Sequence, residues 1–303
     1  MPVPPPADSD RLTRFLLPRA GVRGVRVHLR EAWEQIRSRD DHPAAVSELL
    51  GEAVAASALF TGHAKVDGRL SVQLRGEGRL RTLFAECTAA GTLRAIAQLA
   101  EGDDAPPPSR DLRTLGAGAI LAITIENPGA RGQDPTRYQG LVPLEADALS
   151  GAFEDYFRQS EQLPTRLLLA ADAQRAAGLM LQKLPGDTGD DDGWRRANAL
   201  FDTLTPAEVL DLPADTLLTR LFHEERPERL GDKPLRFGCS CSRERVAAML
   251  RSLGRDEARA AVIDGAARIR CEFCGQRYAF DPVTVDRLFE GPEADLPAPE
   301  RVQ

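Results

Sequence analysis

The clearest hydrophobic pattern in the chain begins at Val46. Val46, Leu49, Leu50, Ala53, Val54 and Ser57 recur at three- and four-residue spacing, which places them on one buried face of a helix. Ahead of it, residues 22–29 read as a strand and a helix opens near Glu31. Behind it the period drops to two: Leu70, Val72 and Leu74 alternate with polar residues, and a second run covers 83–87. Asp67-Gly68 and Gly76-Glu77-Gly78 supply turns between these segments, so the pattern predicts a β-meander. Further strands are expected at 120–125 and 138–144, a helix from Asp147 to about Gln162, and a last strand pair across 172–178. Leu149, Phe153, Tyr156 and Phe157 form an apolar stripe suited to docking that helix on a sheet. Cys87, at the end of a predicted strand, reads as a small buried hydrophobe.

The apolar pattern stops at Pro185-Gly186-Asp187-Thr188-Gly189-Asp190-Asp191-Asp192-Gly193, a polar acidic stretch that cannot bury surface and reads as a hinge. Helical spacing resumes with Trp194, Ala197, Leu200, Phe201 and Leu204. Thr205-Pro206-Ala207-Glu208 then carries an N-cap, a proline at the first helical position and the glutamate of a capping box. Leu217, Leu218, Leu221 and Phe222 continue the apolar supply. Isolated helices shorter than about 12–15 residues are marginal in water, so these must borrow stability from a neighbour. The expected organisation is a core domain over 1–184, a metastable helical linker over 185–236, and a small C-terminal domain over 237–303 whose Pro- and Glu-rich tail is disordered. The fold class is α+β, with a large α/β core built on β-meander sheets.

Composition narrows the function classes. With 303 residues, 42% of them hydrophobic, the chain can fill a sizeable core. A formal net charge of -7 argues against a general nucleic-acid binder. The opening MPVPPPADSD lacks the basic flank and apolar core of a signal peptide, and no apolar run approaches the length that spans a bilayer. A cytoplasmic protein with no membrane partner is the expectation, and there cysteines stay reduced.

Four of the five cysteines then become the centre of interest. They form Cys239-Ser240-Cys241 and Cys271-Glu272-Phe273-Cys274, with 29 residues between the pairs. Core cysteines have no reason to cluster two by two among Arg236, Arg243, Arg245, Arg270 and Arg277. Two short knuckles brought together by an intervening helix, expected from Ser242 to about Leu253, supply the four ligands of a tetrahedral zinc ion. A second helix is capped by Asp281-Pro282. Four thiolates on one Zn²⁺ carry a formal charge of about -2, which nearby guanidinium groups offset. Gly275 permits the tight turn that aims amide N–H groups at sulfur. A catalytic zinc would keep an open position and favour His or carboxylate ligands. A module this small depends on its metal, since structural zinc contributes roughly 10–16 kcal/mol in comparable peptides. Adjacent thiolates can also be oxidised, so the same residues serve a zinc staple or a redox switch.

The run Phe237-Gly238-Cys239-Ser240-Cys241-Ser242-Arg243-Glu244-Arg245, with Cys271-Glu272-Phe273-Cys274-Gly275, resembles the redox-regulated 33 kDa heat-shock chaperonin family. Tyr138-Gln139-Gly140-Leu141-Val142 and the stretch from Glu154 through Tyr156-Phe157-Arg158-Gln159-Ser160-Glu161-Gln162-Leu163-Pro164-Thr165-Arg166 look like that family's most recognisable core segments. The resemblance covers nearly the whole chain. It implies an ATP-independent holdase for unfolding client proteins, inactive while Cys239, Cys241, Cys271 and Cys274 hold one zinc ion. It further implies activation by oxidation, with Cys239 paired to Cys241 and Cys271 to Cys274, and a tendency to form a homodimer when active.

Two other classes compete. A thiol–disulfide oxidoreductase using Cys271 and Cys274 would place its C-x-x-C where a strand opens into a helix, whereas here Gly275 and a β-rich Arg277-Tyr278-Ala279-Phe280 follow. A zinc-ribbon adaptor is weakened by the acidity of the chain and by the C-x-C spacing of the first pair.

Overall fold

The computed structural model describes residues 9–64, 66–100, 109–129, 134–186 and 188–290. The expected disordered tail over 291–303, the chain start over 1–8 and Asp187 of the hinge lie outside them. The chain divides into two compact units, which meet in sequence between Gly238 and Cys239.

In the first unit, strands β1 (Arg11–Leu17) and β2 (Val22–Leu29) form a hairpin, followed by helices α1 (Glu31–Arg37) and α2 (Ala44–His63). A meander of β3 (Arg69–Arg75), β4 (Leu80–Thr88) and β5 (Thr92–Leu99) comes next, then β6 (Ile120–Asn127) and β7 (Thr136–Pro143). Helix α3 (Leu149–Tyr156) precedes the hairpin of β8 (Thr165–Ala171) and β9 (Ala176–Lys183). Three short helices, α4 (Gly193–Phe201), α5 (Pro206–Asp211) and α6 (Ala214–Phe222), lead to β10 (Glu228–Pro234) and β11 (Arg236–Phe237). The strands make two sheets, ordered β10-β1-β2-β9-β8 and β11-β5-β4-β3-β6-β7. The α+β class expected from the sequence holds.

Helix α2 packs against strands of both sheets, which explains its composition. Its apolar surface extends well past the Val46–Leu50–Val54 stripe: residues 49–61 are all buried, with alanines, Gly51 and Ser57 keeping the backbone close to its neighbours. A helix buried on every side loses amphipathic contrast. By length and composition α2 could cross a membrane, which corrects the reading that no apolar run is long enough. Its burial in the core accounts for that hydrophobicity.

Two predicted boundaries shift for identifiable reasons. The helix expected to reach Gln162 is α-helical only to Tyr156, continues as a π-turn over Phe157–Glu161, and ends at Gln162 with φ 55°. Pro164 keeps its predecessor out of the helical region. The strand pair expected across 172–178 lies on either side of a turn over 172–175, where the Asp172 carboxylate accepts the amide N–H groups of Gln174 and Arg175 at 2.7 Å each.

The segment read as a helical linker packs α4, α5 and α6 on the first sheet. Ala197, Phe201, Val209, Leu217, Leu218 and Phe222 form a second core with Phe15, Leu17, Val22, Leu179 and Leu181. Phe222 stacks on Phe15 with ring centroids 6.3 Å apart. Gly24 makes that possible, because a Cβ there would lie 2.0 Å from the Phe15 ring. The Thr205/Glu208 capping box forms as expected. Polar clasps join the layers: Arg166 donates to Asn198 Oδ1 at 2.6 Å and pairs with Asp202 at 2.6 Å, and Arg196 pairs with the buried Glu225 at 2.8 Å. His28 Nε2 lies 2.8 Å from the Leu210 carbonyl, and Arg26 donates to that of Leu212. The same segment also contributes strands, which the helical reading missed: β10 pairs antiparallel with β1, and β11 pairs parallel with β5.

The second unit consists of α7 (Arg243–Leu253), α8 (Arg255–Ala260), β12 (Val262–Ile263), β13 (Ala266–Arg270), β14 (Arg277–Phe280) and α9 (Pro282–Arg287). Its three strands form one antiparallel sheet. Among the described residues its core is only Val246, Leu250, Ala258, Ala267, Phe280 and Val285, with a few half-buried neighbours.

Candidate metal centre

The two knuckles are set by ordinary local structure. Ser242 caps α7 by accepting the Arg245 N–H at 3.3 Å, and this fixes Cys239 and Cys241 just ahead of the helix. Cys271 and Cys274 lie in the connection of the β13–β14 hairpin. That connection closes through Gly275 N–H to the Cys271 carbonyl at 2.8 Å and Cys271 N–H to the Gln276 carbonyl at 2.9 Å. Gly275 has φ 71°, and a Cβ there would meet only the Arg270 guanidinium at 3.6 Å. The backbone conformation, not space, therefore asks for glycine.

All four Sγ atoms lie within 4.8 Å of one another. Cys239 and Cys271 are 3.7 Å apart, Cys241 and Cys274 3.3 Å. Sulfurs about 2.3 Å from a central ion in a tetrahedron are about 3.8 Å apart, so the arrangement fits one metal ion. Each cysteine is only half-buried. The Cys241 N–H points at Cys239 Sγ at 3.5 Å, and the Tyr278 hydroxyl donates to Cys241 Sγ at 3.1 Å.

The thiols differ electrostatically. Burial pushes Cys239 up, and burial with hydrogen bonding to the other thiols pushes Cys274 up to about 12. Burial also acts to raise Cys241, but the Tyr278 hydroxyl and the neighbouring thiols outweigh it and bring it down to about 7. Tyr278 rises to about 12, chiefly through its hydrogen bond to Cys241. Cys241 is thus the readiest of the three to become a thiolate, the form that binds metal.

Every cysteine singled out in the two knuckles is brought to one point, while Cys87 lies apart on β4, fully buried, with burial pushing its thiol up to about 12. Among the arginines read as counter-charges, Arg243 is engaged otherwise: it lies over the Phe280 ring at 4.2 Å and donates to the Ala279 carbonyl at 2.9 Å. Tyr278 was visible in the sequence only as part of a β-rich run. Its position four residues after Cys274, in a strand that folds back on the knuckles, was the available signal. The C-x-x-C pair is flanked by antiparallel strands and does not open a helix, unlike an oxidoreductase motif.

Known proteins of the same kind are numerous. A family model described as Hsp33 protein matches residues 10–281. The 33 kDa chaperonin of Ectopseudomonas mendocina is 43% identical over 97% of this chain and 99% of its own length. That of Neisseria meningitidis is 36% identical over 93% of this chain and 92% of its own. The crystal structure of the 33 kDa chaperonin from Thermotoga maritima superposes with a TM-score of 0.73 at 20% identity, covering 92% of this chain and 97% of that one, and so shares the fold. On the extent of these matches, the chain belongs to the Hsp33 family.

Proposed function

We propose that this chain is an ATP-independent holdase whose client binding is controlled by the oxidation state of Cys239, Cys241, Cys271 and Cys274. The supporting observation is the convergence of four half-buried sulfurs at metal-binding distances, in a unit whose apolar core is too small to be stable unaided. Chaperone activity itself accords with the family, whose curated relatives are named chaperonins.

The metal we propose is one zinc ion, which holds the reduced thiolates together and offsets their charge. Oxidation removes the ligands. A thiolate attacks a peroxide oxygen; the S–O bond forms, the O–O bond breaks, hydroxide leaves, and sulfur gives up two electrons. The neighbouring thiolate then displaces a second hydroxide to close the disulfide. The proposed pairs are Cys239 with Cys241 and Cys271 with Cys274, since residues two or three apart in sequence remain neighbours after the cluster opens. The unit then unfolds, α4–α6 come away from the first sheet, and their apolar faces become available to unfolding clients, with association into a homodimer in the active state. In this reading 1–184 is the core, 185–236 the metastable linker and 237–303 the switch, acting in the reducing cytoplasm.

The test follows zinc release and suppression of thermal aggregation of an unrelated protein in one sample, with and without peroxide at elevated temperature. Both should rise together. Full holdase activity in reduced, zinc-loaded chain would refute the proposed control.

A further inference from the structure

Tyr278 is held more firmly than a loop residue near a cluster would be. It sits on β14 opposite Ile269 of β13, and its ring packs against the small apolar core of the second unit. From there its hydroxyl reaches Cys241 Sγ at 3.1 Å, across from the knuckle carried by its own hairpin. A hydrogen bond to a thiolate draws electron density from the lone pair that attacks peroxide, and groups of this kind tune metal ligands strongly. The geometry therefore couples the two knuckles: the hairpin that carries Cys271 and Cys274 also carries the donor that quiets Cys241.

We propose that Tyr278 is a positioning residue that restrains oxidation of Cys241 until the β13–β14 hairpin is disturbed. This rests on the redox reading above. While the hairpin is intact, Cys241 is slow to form the S–O bond that breaks peroxide's O–O bond and expels hydroxide.

The test uses full-length, zinc-loaded Tyr278→Phe. It should retain one zinc, yet form sulfenic acid at Cys241 about tenfold faster under peroxide, read by dimedone labelling and peptide mapping, since tenfold is about 1.4 kcal/mol, the scale of one hydrogen bond to a charged sulfur. In cobalt-substituted protein the sulfur-to-metal charge-transfer band should move to longer wavelength, a signature that mere loosening would not give. Should the variant fold poorly, replacing the three tyrosines with 3-fluorotyrosine preserves the rings and strengthens the donor, and Cys241 labelling should slow. Unchanged Cys241 labelling with an unmoved band overturns the role of Tyr278 alone. A natural chain that loads no metal overturns both this role and the site reading beneath it.

Discussion

Truncating Phe222 should loosen the linker without touching a cysteine. Phe222 is fully buried, and its ring lies 6.3 Å from that of Phe15, which in turn occupies space left by Gly24. Neither partner can move to fill the gap, because Phe15 is itself fully buried between β2 and the helical layer. Replacement of a buried Phe by Ala costs about 3–5 kcal/mol in such a setting. At tenfold per 1.4 kcal/mol, the ratio of undocked to docked linker should rise between about a hundred- and several-thousand-fold. Hydrogen exchange of reduced, zinc-loaded Phe222→Ala reads this directly. Amides of α4, α5 and α6 should exchange far faster while those of β2, β9 and α2 keep their protection, and some aggregation suppression should appear without peroxide. Equal loss of protection in the strands and the linker would show that the linker does not open on its own, and the proposed activation route would fail.

Two further outcomes are expected. Cys271→Ser removes one sulfur from the cluster, so X-ray absorption should lose the four-sulfur shell at about 2.3 Å expected of the natural chain, and peroxide-dependent gain of activity should vanish; tight zinc binding with normal redox response would contradict the coupling. His63 is pushed down to about 3, first by burial and then by Arg23, whose guanidinium lies 2.9 Å from its Nε2. Its folded pKa is thus below its ordinary 6.5, so its contribution is complete above pH 6.5 and is lost as pH falls toward 3, on the order of 5 kcal/mol. Urea midpoints measured from pH 7 to 4 should fall less steeply for His63→Gln, and an unchanged slope would remove His63 from the account.

The residues that carry strong local chemistry were legible in the sequence. The Cys239/Cys241 and Cys271/Cys274 spacing, the Thr205–Glu208 capping box and the Asp281-Pro282 cap each act within a few residues, and the structure forms them. The α2 stripe was visible but understated, because a helix enclosed by two sheets has no polar face to set it off. Strand β10, Glu228–Pro234, left no hydrophobic signature: it is a largely exposed edge strand, and its pairing with β1 depends on backbone groups that a side-chain pattern does not report. Tyr278 and the clasp residues Arg26, His28 and Arg166 were hidden for a related reason. Their roles depend on partners far away in sequence, such as Leu212, Leu210 and Asn198.

The pairing of β10 with β1 also bears on the opening proposed for the linker. Both ends of the α4–α6 stretch are anchored in one sheet, at Lys183 on β9 and at Glu228 on β10. Released helices would therefore form a tethered loop, not a free arm. Lengthening a closed loop twofold costs only about 0.6 kcal/mol, so the tether scarcely opposes opening. It does confine the loop's apolar side chains to the neighbourhood of the sheet face they leave. A client captured there would be held between two sticky surfaces, and on reduction the helices would return by a short intramolecular search with their anchors already in register.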